Sequence, residues 1–155
     1  AQLHSRAGRY DHPRAEGRLS VAGAPLTLFG VAQRGMSAQL VRMNAASSNL
    51  ANAGSVSTSE QDAYRPIRAV FAEDYDRATG LSTVRVSSVM RTDAAAVKEY
   101  NPNHPLADAE GYIYSAPVDE NAEMVEMIDA SRQYQNLVEA ISTAKQLMLD
   151  TMRMK

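Results

Sequence analysis

Catalysis by this chain would have to begin at His104, the one histidine apart from His4 and His12, with Asp108 four positions later as its nearest acid. A histidine beside a carboxylate can serve as a general base, but hydrolysis also needs a nucleophile held within hydrogen-bond reach. No serine or threonine stands at a spacing that defines one, and the absence of cysteine removes thiolate chemistry, disulfides and zinc-thiolate sites together. His104 lies between Asn103 and Pro105, where turn chemistry accounts for it. Glu73, Asp74 and Asp76 offer hard oxygen ligands, yet the glycine and distal glutamate of a calcium loop are missing, so a solvated hairpin turn is expected there. Glu120, Glu123 and Glu126 would need a facing apolar cleft for acid–base work; at the start of a helix they complement its dipole instead. Glycine-rich phosphate loops are absent. The residues therefore predict no enzyme, no cofactor and no metal.

The most regular stretch is residues 119–155. Met124, Met127, Ser131, Tyr134, Val138, Ile141, Lys145, Met148 and Met152 recur in steps of three and four, a heptad pattern broken by Ser131 and Lys145. Neither Pro nor Gly occurs after Asn121, and the interior is rich in good helix formers. A helix of this length runs roughly 50 Å, more than a small domain can shield, so its stripe needs a partner helix. Residues 24–54 supply one: Pro25 suits a first helical turn, and Phe29, Met36, Met43 and Leu50 recur every seven residues, with Leu40 and Ser47 between them. Gly30 and Gly35 weaken this helix by about 1 kcal/mol each relative to Ala. It should end near Asn52, where Gly54 and a Ser/Thr-rich run favour turn geometry.

Residues 55–118 have β character. Tyr64 to Phe71 reads as a strand that Pro66 confines to an edge or to a strand start, and Thr83 to Met90 as a second strand whose phase breaks at Ser87 and Ser88, the mark of a bulge. The turn around Asn101 to Pro105 leads to a short strand at Tyr112, Ile113 and Tyr114. Residues 1–23 show no period and are expected to form a disordered extension. The chain is 45% apolar with a net charge of −2, and like charges never cluster, which argues against nucleic acid or an anionic membrane as a partner. The apolar stretch at residues 21–32 is interrupted by Pro25 and reads as the start of a helix rather than a cleavable signal, and no run is long enough to span a membrane. The resulting fold class is mainly α with a small β-rich insert: long N- and C-terminal helices paired as a coiled coil, and a central small β domain.

Several strings resemble a known family. NAASSNLANAG at residues 44–54 resembles the N-terminal signature shared by bacterial flagellar rod and hook proteins. ASRQYQ at residues 130–135, followed by Leu137, Thr143, Lys145 and Met148, is similar to their C-terminal signature. YRPIR from Tyr64 and HPLADAEGY from His104, leading into Pro117, Val118 and Asp119, resemble a proximal-rod member of that family, and the likeness runs from about Leu26 to the C-terminus. The resemblance implies a structural axial protein of the flagellar basal body, in the periplasmic rod, exported by the flagellar type III apparatus. It further implies partners among other rod proteins, copies of itself and the adaptor joining rod to MS ring. Together with the two stripes it nominates an assembly surface: Phe29, Met36, Leu40, Met43, Asn49, Leu50 and Asn52 on the first helix, and Met127, Tyr134, Val138, Ile141, Met148 and Met152 on the second. A methionine-rich helical adaptor or export chaperone, binding clients as a stable monomer or dimer, is the rival from another class; a hydrolase built on His104 and Asp108 is the weaker one.

Overall fold

A computed structural model describes residues 27–154. The expected extension at 1–23, and Pro25 as a first helical turn, lie outside those residues. Helix α1, Leu28–Ala51, starts where the Thr27 side chain caps it by accepting the Gly30 N–H at 3.1 Å. It stops at Asn52, whose side-chain amide donates to the Ser48 carbonyl at 2.8 Å while its own carbonyl accepts from the Ser55 hydroxyl. Asn52 has φ −109°, so the helix ends by turn geometry and not through a left-handed residue. Helix α2, Glu120–Arg153, is capped by the Asp119 carboxylate, which accepts from the N–H groups of Asn121 and Ala122, with Glu120 and Glu123 in its first turn.

The two helices lie antiparallel. Asn49 stands against Glu123, and Gly35 against Leu137 fourteen residues earlier on one helix and fourteen later on the other. The α2 positions turned inward are Glu123, Met127, Ala130, Tyr134, Leu137, Ile141 and Ala144, in steps of four and three. This seam keeps Met127, Tyr134 and Ile141 of the expected stripe but moves the alternate positions back by one residue. Ala130 is 0% exposed, whereas Val138 is 44% exposed, and Met124 and Met148 also face outward. The cause is steric. α1 contributes Gly35, Ala38 and Ala45 to the junction, and small residues on both sides let the backbones approach closely. A reading weighted by apolarity prefers Met or Val over the neighbouring Ala. The breaks at Ser131 and Lys145 vanish with the shift, because Ala130 and Ala144 occupy those turns.

The insert divides into two pieces instead of one sheet. Strands β1 (Val56–Ser57), β4 (Val97–Tyr100) and β5 (Tyr112–Ser115) form an antiparallel sheet in the order β1-β5-β4. Strands β2 (Ile67–Asp76) and β3 (Leu81–Arg91) form a separate hairpin that lies against α1. The expected bulge is present: Val70 pairs with Ser88 and Phe71 with Val86, leaving Ser87 as the extra residue. The acidic stretch expected to be a turn is strand instead, since β2 continues to Asp76 and the reversal falls on the next four residues, closing at Gly80 with φ 69°. Each acid there has its own partner, Glu73 with the Ser82 hydroxyl, Asp74 with Arg34, and Asp76 with the Ala78 N–H and Thr79 hydroxyl.

Candidate assembly interface

Asn49 joins three elements. Its side-chain amide donates to the Ile67 carbonyl at 3.0 Å and to Glu123 Oε2 at 3.0 Å, while its oxygen accepts from the Ile67 N–H at 2.8 Å and the Tyr64 hydroxyl at 2.9 Å. All four hydrogen-bonding positions of interest are thus used, and the residue is 0% exposed. Asparagine is suited to this place because it mimics a strand neighbour toward Ile67 and still has a donor left for a carboxylate. Expected on the assembly surface, Asn49 instead fastens the start of β2 between α1 and α2.

Glu123, 1% exposed, is the other half of this joint. Arg68 grips both its oxygens, Nη1 to Oε2 at 3.0 Å and Nη2 to Oε1. This two-point hydrogen bond is the largest reason the Arg68 guanidinium is held above its ordinary pKa, against the opposing effect of burial. One turn later, Arg42 bridges the helices by donating to both Glu126 oxygens at 2.7 and 2.9 Å and to Asp129 at 3.0 Å. Its pKa is raised chiefly by the Glu126 hydrogen bond. Glu123 and Glu126 therefore do more than complement the helix dipole; only Glu120 stays exposed in that role. Arg34 with Asp74 ties the far end of the hairpin to α1. Sequence reasoning gave no role to Arg42, and named Tyr64 and Arg68 only as part of the YRPIR string, because the partners they reach across the fold are 15 to 87 positions away and leave no local pattern.

His104 and Asp108 do not form a catalytic pair. His104 Nδ1 accepts the Leu106 N–H at 3.1 Å, and Asp108 accepts the N–H groups of Tyr112 at 2.8 Å and Glu110 at 3.0 Å. The Tyr112 bond, more than the others, holds the Asp108 carboxyl below the usual carboxylate range. Gly111, at φ 85°, completes the turn where a Cβ would come within 2.9 Å of the Tyr100 ring. The motif from His104 to Tyr112 is a self-bonded turn that aligns β5 for entry into α2.

The other nominated residues are distributed unevenly. Met127, Tyr134 and Ile141 are half-buried on the α1–α2 seam; Phe29, Met36, Met43, Leu50 and Asn52 are half-buried on α1 or at its end. Leu40, Val138, Met148 and Met152 are exposed. Met43, Met127, Ile128, Ser131 and Arg132 line an open groove of about 380 Å³ on the outer flank of the pair.

Comparison with known proteins places both ends of the chain. A family model described as flagella basal body rod protein matches residues 29–54, and one described as flagellar basal body rod FlgEFG protein C-terminal matches residues 109–154. The chain is 40% identical over 129 residues to the flagellar basal-body rod protein FlgC of Salmonella typhimurium, covering 83% of this chain and 96% of that one. Against FlgC of Yersinia enterocolitica the identity is 39% over 127 residues, with 82% and 95% covered. Against FlgC of Agrobacterium fabrum it is 30% over 122 residues, with 78% and 88% covered.

Proposed function

The chain belongs to the FlgC family of flagellar basal-body rod proteins, and on that premise we propose how its geometry serves the rod. It is a structural subunit of the basal-body rod and not an enzyme. We propose that α1 and α2 act as a coiled coil in the proximal, periplasmic part of the rod, packing with copies of the chain and with other rod proteins to transmit torque. The observation that carries this reading is the seam from Glu123 to Ala144, which fixes the two family signatures against each other and leaves a second apolar flank outward.

The ion pairs fit a load-bearing part. Arg42 to Glu126 crosses from α1 to α2 and Arg68 to Glu123 from β2 to α2, so sliding α1 along α2 would part Arg42 from Glu126 and withdraw the Asn49 donor from the buried Glu123 carboxylate. Stripes exposed in the free chain are covered in the assembly, which agrees with export of the chain through the flagellar type III apparatus before it folds against neighbours. Contact with the adaptor between rod and MS ring belongs to the same reading.

The test is imaging of basal bodies from cells lacking this gene, with and without the gene restored. Loss of proximal-rod density that returns on complementation is expected. Intact rods in its absence would contradict the reading, and a soluble client-bound monomer would favour the adaptor role.

A further inference from the structure

α1 begins beside an apolar groove, and the chain that precedes the helix arrives there. The groove, of about 480 Å³, is lined by Leu28, Val31 and Gly35 of α1, Thr83 and Val84 of β3, and Leu137 of α2, with no charged residue among its lining. Leu28 is 66% exposed. Thr83 is buried, and its hydroxyl has no hydrogen-bond partner among the described residues; a buried polar atom in that state calls for a partner. β3 pairs only with β2, so backbone groups along its other edge lack a strand among the described residues.

The sequence ahead of α1 matches this surface. Residues 21–26 read VAGAPL, without a charge to desolvate. With Thr27 as the cap, Leu26 is the residue before it and Val31 the fourth of the helix. Apolar residues at those two places pack together and fix the angle at which the chain enters. Val31 lines the groove, so this staple turns Leu26 toward it. Thr27 is itself extended, with φ −103° and ψ 163°, and Pro25 biases Ala24 toward extended backbone as well. In an extended chain Leu26, Ala24 and Ala22 share one side, and the two alanines let a backbone come close to β3. Five such residues reach about 17 Å, against about 10 Å between packed layers. A segment tethered beside the groove has an effective concentration of about millimolar, which favours it over a free chain.

We propose that residues 22–26 fold back over the groove, with Leu26 on Val31 and Ala24 against Val84, and that their backbone supplies the partner the Thr83 hydroxyl lacks. The folded subunit then begins near Ala22, ahead of α1, and this face of the helix pair is closed to other chains. The contact lies within one chain, so it holds or fails independently of rod assembly.

The chain has no cysteine, so introduced thiols report without background. Purified full-length chain carrying Ala24→Cys and Val84→Cys is oxidised at low concentration beside a form carrying Ala24→Cys and Gln33→Cys. Gln33 is exposed on α1, about 9 Å along the helix from Thr27. A disulfide requires Cβ atoms within about 4.5 Å. The closed single chain is expected to form at least tenfold faster in the first form than in the second. As a second measurement, Leu26→Asp should speed amide exchange at Gly30 and Val31 about tenfold, and Leu3→Asp should leave it unchanged.

Equal closure of the two pairs, or no closure at Val84, would overturn the contact. So would a two-chain product when Ala24→Cys and Val84→Cys are carried on separate molecules, which would put the segment in a neighbour's groove. Exchange at Gly30 and Val31 that Leu26→Asp leaves untouched would overturn it as well.

Discussion

Gly35 leaves the space that Leu137 fills: a Cβ on Gly35 would stand 3.1 Å from Leu137 Cδ1. The glycine that weakens α1 as a helix is therefore what allows α2 to approach it. Gly54, by contrast, has nothing within 4 Å and no positive φ. We predict that Gly35→Val lowers the unfolding free energy by about 1–3 kcal/mol through overpacking, while Gly54→Ala raises it by about 0.4–1 kcal/mol by restricting the unfolded chain. Denaturant unfolding of the purified subunit checks both. Equal effects at the two positions would mean that α2 does not sit on Gly35.

Asn49→Ala should cost about 2–3 kcal/mol, because it strands the half-buried Ile67 N–H and withdraws a donor from the buried Glu123 carboxylate. Asn49→Asp should be worse, since it sets a second carboxylate against Glu123. The pair is coupled, so Asn49→Ala combined with Glu123→Ala should destabilise by clearly less than the sum of the two single changes. Additive behaviour in that cycle would deny the joint between α1 and α2.

Acid should loosen the turn before β5. The folded pKa of Asp108 is depressed, so its contribution is present above the unfolded value and is lost as pH falls through the folded one, below about 4. Amide exchange at Glu110 and Tyr112 should accelerate there, and Asp108→Asn should remove that pH dependence. Neither this change nor His104→Ala should abolish any hydrolytic activity, because both side chains are occupied by backbone N–H groups. Turnover lost in either variant would overturn the structural role.

The short strands β1 and β4 were not read from the sequence. The two long helices around a β-rich middle, the end of α1 near Asn52, the start of α2 near Asp119 and the bulge at Ser87 were legible because each rests on a local pattern: a heptad repeat, turn residues at Asn52 and Ser55, and a broken alternation in β3. The phase of the α2 seam was not. Choosing Val138 over Leu137 requires knowing that Gly35 stands opposite, a fact of tertiary packing. Asn49 was recognised as part of a signature, but its burial depends on Ile67, Tyr64 and Glu123, which no short window contains. The continuation of β2 through Asp76 also escaped the sequence, since Arg34 on α1 neutralises Asp74 from outside the strand.

The central claim is that the paired helices are what the rod is built from, and Ile141 tests it most directly. Ile141 belongs both to the apolar stripe and to the observed seam, whereas Glu139 is exposed on the same helix. An unpaired carboxylate on the seam costs several kcal/mol, against about 0.5 kcal/mol for an ordinary surface change. The measurement is co-purification with basal bodies of Ile141→Asp and Glu139→Gln, after equal export has been confirmed. The account predicts that Ile141→Asp is absent from rods and Glu139→Gln is present at the normal level; equal incorporation of the two would contradict it.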